Sequence, residues 1–288
     1  MNQINLFIEL TRLKKPIGFM LLFWPCAWGL TLAYDFSNDF KNYFFYLILF
    51  FLGAVLMRSA GCIVNDIIDR KFDRKVFRTK DRPIASEKIS VKLGLIYATI
   101  LCLLAFCVLI NFNFFSILLA LGSMPLAFTY PLMKRYTYWP QLFLGITFNY
   151  GLILGWTSIT NEITLIPLIF YFGAIFWTLG YDTIYGFQDI KDDEIIGLKS
   201  TSIKFKNNPF YFLFLCYTIF SFSLIIIGIQ MGFNKFYYIY LTIIFFQMFY
   251  LQLKNLEIKN ANSCFNVFKS NNILGALVLI GLIIGKVY

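Results

Sequence analysis

The chain has 288 residues, of which 59% are hydrophobic and only 14% charged, with a net charge of +10 and a mean hydropathy of +0.70. That charged fraction is far below the quarter typical of soluble domains. The absence of histidine excludes His-ligated zinc, haem and di-iron sites and any histidine base, which leaves polar chemistry to carboxylates, Lys, Arg, Tyr, Asn or a bound cation.

Apolar runs near twenty residues recur along the whole length and predict an all-α, polytopic membrane protein. In chain order the spans read as roughly 16–34, 42–65, 91–110, 114–131, 139–158, 163–186, 209–230, 236–252 and 270–287. The opening stretch "MNQINLFIELTRLKKPIGFM" has no small-residue cleavage site after its apolar segment, so that segment reads as the first span and not as a removed leader. The six cysteines, at 26, 62, 102, 107, 216 and 264, show neither C-x-x-C nor metal spacing and read as small buried apolar groups. No second domain is apparent, so 1–288 is expected to be a single unit.

The connecting loops alternate in charge. The N-terminus and the loops near 66–90, 132–138, 187–208 and 253–269 carry 20 of the 25 Lys and Arg residues; the opposite loops and the C-terminus hold only Lys41, Lys235 and Lys286. The positive-inside rule makes the first set cytoplasmic. The basic surplus is then explained by orientation and anionic headgroups, with no nucleic acid required.

Two of these cytoplasmic loops are long, and each begins with an acidic cluster: "NDIIDRKFD" at 65–73 and "YDTIYGFQDIKDDEIIGLKSTS" at 181–202. They look like a weak pseudo-repeat, 65–73 against 182–193. On a helix Asn65, Asp69 and Asp73 fall on one stripe with Asp66 beside it, and Asp182, Tyr185, Asp189 and Asp193 make a second stripe with Asp192 beside it. Like charges about 6 Å apart repel by roughly 3 kcal/mol at an effective dielectric near 20. Each stripe therefore needs cations, either nearby Lys and Arg at a solvated helix end or a divalent ion. Oxygen-only ligands favour Mg²⁺ over zinc. Asp182 lies inside an apolar run, where a carboxylate marks a functional site by default. Arg70, Lys71, Arg74, Lys75, Arg78, Arg82, Lys134, Arg135 and Lys199 are the cations at hand, suited to phosphate or to lipid headgroups. Arg58, about two turns deeper than Asn65, needs an anion: either a membrane carboxylate such as Asp182 or the carboxylate of an acidic substrate.

These residues resemble a known family. "NDIIDRKFD" has the N-D-x-x-D-x-x-x-D form of the UbiA superfamily of intramembrane aromatic prenyltransferases, and "YDTIYGFQDIKDDEIIGLKSTS" resembles its second motif, D-T-x-Y…D-x-x-D-D…G-x-K-S-T. "RLKKPIGFMLLFWP", "MRSAGCIVNDIIDRKFDRKVFRTKDRPIAS" and "YPLMKRYTYWPQLFLG" are similar to the branch that prenylates 4-hydroxybenzoate in ubiquinone synthesis. The resemblance covers about residues 10 to 205, and departs at Gly186, where Ala is common and the smaller Gly should fit. It implies nine transmembrane helices around a central cavity with a cytoplasmic cap, in a bacterial inner membrane. It implies a polyprenyl diphosphate and 4-hydroxybenzoate as substrates, and membrane lipid as the surroundings. Asn65, Asp69, Asp73, Asp189 and Asp193 would hold Mg²⁺, with the four aspartates catalytic. Arg58 would receive the acceptor's carboxylate, and Asn65, Asp66, Arg78, Arg82, Lys134, Asp182 and Tyr185 would complete substrate binding. The same fold with another acceptor (dihydroxynaphthoate, haem or chlorophyll type) is the nearer alternative, and a secondary transporter or divalent-cation channel the more distant one. Acids gathered mainly at one membrane face, on mostly uninterrupted spans, argue against transport.

Overall fold

The computed structural model describes residues 3–37, 39–76 and 78–287. Its elements are helical throughout: α1 Gln3–Thr11, α2 Ile17–Ala33, α3 Phe40–Asp73, α4 Val91–Leu109, α5 Phe114–Thr129, a 3₁₀ turn Tyr130–Arg135, α6 Pro140–Thr160, α7 Leu165–Gly186, α8 Ile190–Ile195, α9 Thr201–Lys204, α10 Pro209–Gln230, α11 Lys235–Phe245, a π-turn Phe246–Gln252 and α12 Ala261–Val287. Among the described residues seven helical segments are long and apolar enough to cross a membrane, the fifth element and its 3₁₀ turn counting together as Phe114–Arg135. The expected nine differ at two places. The first expected span is a 17-residue helix, α2, with Pro25 inside it. It reaches about 26 Å at 1.5 Å per residue, short of a hydrocarbon core of about 30 Å. The span near 236–252 divides into α11 and the π-turn.

Seen from the packing, α2 is the axis of the bundle. It lies against α3, α6 and α12, while α7 joins α6, α10 and α12. Lipid tails are as apolar as leucine, so helices approach through small residues rather than through hydrophobic exclusion. A Cβ added at Gly29 of α2 would stand 2.0 Å from the Leu152 carbonyl oxygen, and one at Gly155 of α6 would stand 2.3 Å from that of Cys26. The aromatic centre follows from this closeness: Trp28 packs on Phe170 (5.4 Å) and Trp177 (5.0 Å), and Phe220 of α10 completes the group. Apolar side chains such as Phe44, Ile48, Leu103 and Phe222 remain outward, towards lipid.

α3 positions the site. Asp39 caps its start by accepting from the Lys41 N–H at 2.9 Å, and the helix runs 34 residues unbroken. At about 51 Å it exceeds the bilayer core, so one end projects beyond it. The expected span ended at residue 65; the helix continues to Asp73 and carries the first acidic stripe on its own last turns. The second stripe is not one helix, contrary to the sequence expectation. α7 stops at Gly186, residues 187–189 turn, and α8 begins anew. α1 lies across α3, with Leu6 and Leu10, one turn apart, packed among Ala60, Ile63, Ile84 and Ile89. It ends at Arg12, whose φ of +56° is a left-handed conformation that costs an L-residue about 1–2 kcal/mol.

Gly29→Ala forces a methyl against a backbone oxygen that no rotamer change can move, so a loss of about 1–3 kcal/mol is expected, read as a lower thermal midpoint in detergent. Gly53→Ala, in the same bundle with no atom within 4 Å of the new Cβ, should not lower the midpoint.

Candidate functional site

A cavity of about 1140 Å³ opens between α1, α3, the 74–90 loop, the 3₁₀ turn, α7, α8 and the start of α12. Arg58, Asn65, Asp66, Asp69 and Asp73 reach it from α3, Arg78 and Arg82 from the loop, Lys134 from the 3₁₀ turn, Asp182 and Tyr185 from α7, Asp189 and Asp193 from the turn and α8. All twelve candidate residues from the sequence thus line one cavity. The other basic residues sort themselves by their partners. Lys199 also lines the cavity. Arg70 donates to the Ile67 carbonyl, and Arg74 pairs with Glu87 and donates to the Ala85 carbonyl at 2.8 Å, which shapes the loop.

Each acid of the first cluster is matched by a cation delivered from another element. Asp66 takes Arg12 (2.5 Å) and Arg82 (3.1 Å) on the same oxygen. Asp69 takes Lys134 and, at 3.3 Å, Arg135. Asp73 takes Arg82 at 3.0 Å. Asp66 and Asp69 are 2% and 1% exposed, so these pairs are what makes two carboxylates tolerable in so dry a place. Arg135 also donates to the Ile68 carbonyl at 2.9 Å and lies over Phe72, which fixes the 3₁₀ turn against α3.

The second cluster is held by its own polar frame. Arg78 pairs with Asp189 and donates to the Tyr185 hydroxyl at 2.9 Å, its guanidinium 5.2 Å from the ring centre. Tyr185 in turn packs on Phe268 of α12 at 4.6 Å. The "KSTS" run folds back on α7: the Thr183 and Thr201 hydroxyls meet at 2.6 Å, Ser202 donates to the Thr183 carbonyl at 2.8 Å, and Gln141 accepts from the Thr201 N–H. The Lys199 N–H donates to the Lys134 carbonyl at 2.9 Å and ties this loop to the 3₁₀ turn. Burial pushes the Asp193 carboxyl up to about 6, with the Asp189 charge adding to the effect. Burial also raises Asp189, against the lowering pull of Arg78.

Arg58 sits deeper, among Gly18, Tyr130 and Phe148. Among the described residues it forms no ion pair with Asp182 or any other acid. Its Nη1 points to the Cys62 sulfur at 3.0 Å, its charge lies 5.6 Å from the Phe148 ring centre, and its buried Nε has no hydrogen-bond partner. Gly18 makes the room: a Cβ there would stand 2.9 Å from that Nε. Arg58 is thus a half-buried guanidinium on the cavity lining that leaves one donor without a partner.

The donors along the wall suit Mg²⁺ in kind, being amide and carboxylate oxygens with no histidine or thiolate. Asn65 and Asp193 make no side-chain hydrogen bond or ion pair among the described residues, which leaves their oxygens available as ligands. As arranged, no three acidic groups among the described residues converge closely enough to share an ion, because Arg and Lys stand between them. Sequence reasoning passed over Arg12, Cys62, Tyr181 and Phe268, all on the cavity wall. Arg12 lay in a quoted motif but read as an orienting charge, and α12 carried no polar signal that tied it to the site.

Comparison with known proteins places the site in a family. The UbiA prenyltransferase family matches residues 22–274. The mitochondrial 4-hydroxybenzoate polyprenyltransferase of Rattus norvegicus is 41% identical over 283 residues, covering 98% of this chain and 75% of its own. The 4-hydroxybenzoate octaprenyltransferase of Francisella tularensis subsp. novicida is 38% identical over 285 residues, covering 98% of each chain. Among solved structures, a UbiA homolog from Aeropyrum pernix superimposes with a TM-score of 0.76 at 21% identity (91% of this chain, 96% of that one), and one from Archaeoglobus fulgidus bound to GPP and Mg²⁺ with 0.73 at 17% (98% and 100%).

The Gly186 position is tighter than its small side chain suggests. An added Cβ would stand 2.3 Å from the Ser202 Oγ and 3.3 Å from its Cβ. Gly186→Ala should turn Ser202 away from the Thr183 carbonyl and cost about 1 kcal/mol. In Gly186→Ala/Ser202→Ala the clash is gone, so the two losses should fall short of additive; thermal midpoints of the four proteins check this.

Proposed function

The chain belongs to the UbiA prenyltransferase family, and on that premise we propose that it transfers a polyprenyl group from a polyprenyl diphosphate to the ring carbon ortho to the hydroxyl of 4-hydroxybenzoate, releasing diphosphate, as a step of ubiquinone biosynthesis. It is an integral membrane prenyltransferase; the acceptor, the metal and the residue roles are the proposal. The single observation that carries the choice of acceptor is Arg58, a deep guanidinium with an unbonded Nε and, among the described residues, no ion pair. A carboxylate on the acceptor completes it, and the relatives named for 4-hydroxybenzoate agree with that choice.

The charged mouth and the apolar interior divide the work. Arg78, Arg82 and Lys134 hold the diphosphate; Tyr185 keeps Arg78 in place. Asn65, Asp69, Asp73, Asp189 and Asp193 would hold Mg²⁺. Bound there, the ion would neutralise charge on the leaving diphosphate. The allylic C–O bond breaks with its electron pair on the diphosphate oxygen. Aromatic faces near the cavity keep water from the cation and stabilise it by about 2 kcal/mol when desolvated. Arg58 holds the acceptor so that the carbon beside the phenol forms the new C–C bond. The ring proton then leaves to a base, for which the departing diphosphate and Asp189 are the nearest candidates. We place this mouth on the cytoplasmic side of a bacterial inner membrane, because the Lys- and Arg-rich loops share that side. The whole of 1–288 acts as one catalytic unit in this reading.

Transfer from geranyl diphosphate to 4-hydroxybenzoate is the test. The wild type should form 3-geranyl-4-hydroxybenzoate with Mg²⁺, and should lose it with EDTA or with Asp69→Ala. Diphosphate release without that product would move the acceptor to another aromatic compound; neither product nor release from folded protein would sink the reading. Arg58→Leu should raise the acceptor KM about 100-fold, the worth of roughly 3 kcal/mol of charged hydrogen bonding, with a smaller effect on the diphosphate KM. Gly18→Ala should shift the same constant in the same direction, by displacing the guanidinium.

A further inference from the structure

The pair of Asp66 with Arg12 has a different character from its neighbours. Asp66 does not lie on the stripe of Asn65, Asp69 and Asp73; one residue on from Asn65, it is turned about 100° away, towards α1. Its side chain is 2% exposed, and one of its oxygens accepts from two guanidiniums, Arg12 at 2.5 Å and Arg82 at 3.1 Å. Arg12 comes from a different element, 54 residues earlier, at the close of α1. Its backbone takes a left-handed φ of +56°, a conformation arginine rarely adopts, and its side chain reaches back over the cavity. Leu6 and Leu10 anchor α1 on α3, so the turn is fixed from both sides. Arg12 meets carboxylates through Nη2 alone and Arg82 through Nη1 alone, among the described residues. The other nitrogens of both forks meet no carboxylate, Arg12 also lies beside Cys62, and both residues line the cavity.

We propose that Arg12 is a diphosphate-binding residue contributed by the N-terminal helix, and that Asp66 is the positioning residue that aims Arg12 and Arg82 as one two-arginine clamp. The inference rests on the proposed function in that the ligand is a prenyl diphosphate. Paired guanidiniums pre-oriented by a single buried carboxylate match the bidentate geometry of phosphate oxygens, and their fixed rotamers lower the entropy lost on binding. Asp66 gives one oxygen to both cations and lies off the stripe of Asn65, Asp69 and Asp73 that would hold a metal. It therefore stands apart from the acids on either side of it in role as well as in direction.

Binding of inorganic diphosphate and of geranyl diphosphate, each with Mg²⁺, to the full chain in detergent tests this by calorimetry. Glycine is at ease at a positive φ, so Arg12→Gly removes the guanidinium without disturbing the turn; Arg12→Gln, of similar length and neutral, serves as the second variant should the first fail to fold. About tenfold weaker binding of both ligands is expected for either, with partial recovery in Arg12→Lys. Asp66→Asn should weaken diphosphate binding by a similar factor, and Arg12→Gly/Asp66→Asn should be no worse than Arg12→Gly by more than about twofold, because the two act as a unit. In the transfer assay, Asp66→Asn should raise the KM for geranyl diphosphate while the Mg²⁺ concentration for half-maximal rate stays within about twofold of wild type, as expected of a group outside the metal shell. Wild-type binding of both diphosphates by the folded arginine variants overturns the proposal, as does a raised Mg²⁺ requirement in Asp66→Asn with diphosphate binding unchanged. Loss of geranyl diphosphate binding alone, with inorganic diphosphate unaffected, also overturns it. A wild type that binds diphosphate with Mg²⁺ but fails to prenylate 4-hydroxybenzoate removes the acceptor assignment and leaves the clamp standing.

Discussion

A carboxylate removed from water must be given a cation at close range, and that requirement organises the charged half of this molecule. Asp66, Asp69 and Asp73 stand on successive turns of one helix, two of them almost fully enclosed. Alone they would repel one another and lose hydration worth several kcal/mol each. No single element carries the compensation. Arg12 comes from the end of α1, Arg82 from the 74–90 loop, and Lys134 and Arg135 from the 3₁₀ turn before α6. The folding of the mouth is thus a convergence of three segments on one acidic helix. The same arrangement is suited to chemistry, since each cation held by a carboxylate is a donor already desolvated and oriented for phosphate oxygens.

The apolar half obeys a different solvent. Between helices in lipid there is little to gain from excluding water, and close backbone approach and buried hydrogen bonds take over. α2 and α6 meet through Gly29, Gly151 and Gly155. α12 is fastened by three indole N–H groups: Trp24 donates to the Asn272 side chain at 2.9 Å, Trp28 to the Gly275 carbonyl at 3.0 Å, and Trp177 to the Asn271 side chain at 2.8 Å. The π-turn before it turns Gln247 and Gln252 inward, where Gln252 meets Tyr217, Gln247 and Asn271. These bonds set the height of α12, and with it the Phe268 ring against which Tyr185 rests. A ring at the mouth is therefore placed by amides and indoles buried in the bundle.

Between the two halves lies Arg58, below the carboxylate stripe and beside aromatic walls. In the reading proposed above, the charged mouth takes the diphosphate and Arg58 the carboxylate of the ring.

What was legible from the residues was whatever local periodicity or local chemistry expresses. Long apolar runs, free of histidine and poor in charge, sufficed for an all-helical membrane bundle, and the spacing of Asn65, Asp69 and Asp73 sufficed for a helical stripe, because a helix repeats its face every three or four residues wherever it is built. Boundaries were unevenly legible: the expected spans 16–34 and 163–186 match α2 and α7 to within two residues, whereas the run of α3 beyond residue 65 as one unbroken helix and the loss of the helical stripe after Gly186 depend on packing partners that hydropathy does not register. The twelve candidate side chains could be named singly from the sequence, but their meeting in one cavity was decided by the tertiary structure, since pairs such as Arg12 with Asp66 or Arg78 with Asp189 lie 54 and 111 residues apart. The lack of an ion pair between Arg58 and Asp182, the left-handed turn at Arg12 and the approach of Phe268 to Tyr185 belong to the same class. Sequence order by itself determined which charges this chain owns and on which helical faces they sit; only the folded bundle decided which of them neutralise one another, because electrostatic partners are chosen by distance in space and burial, and neither is written in the spacing of residues along the chain.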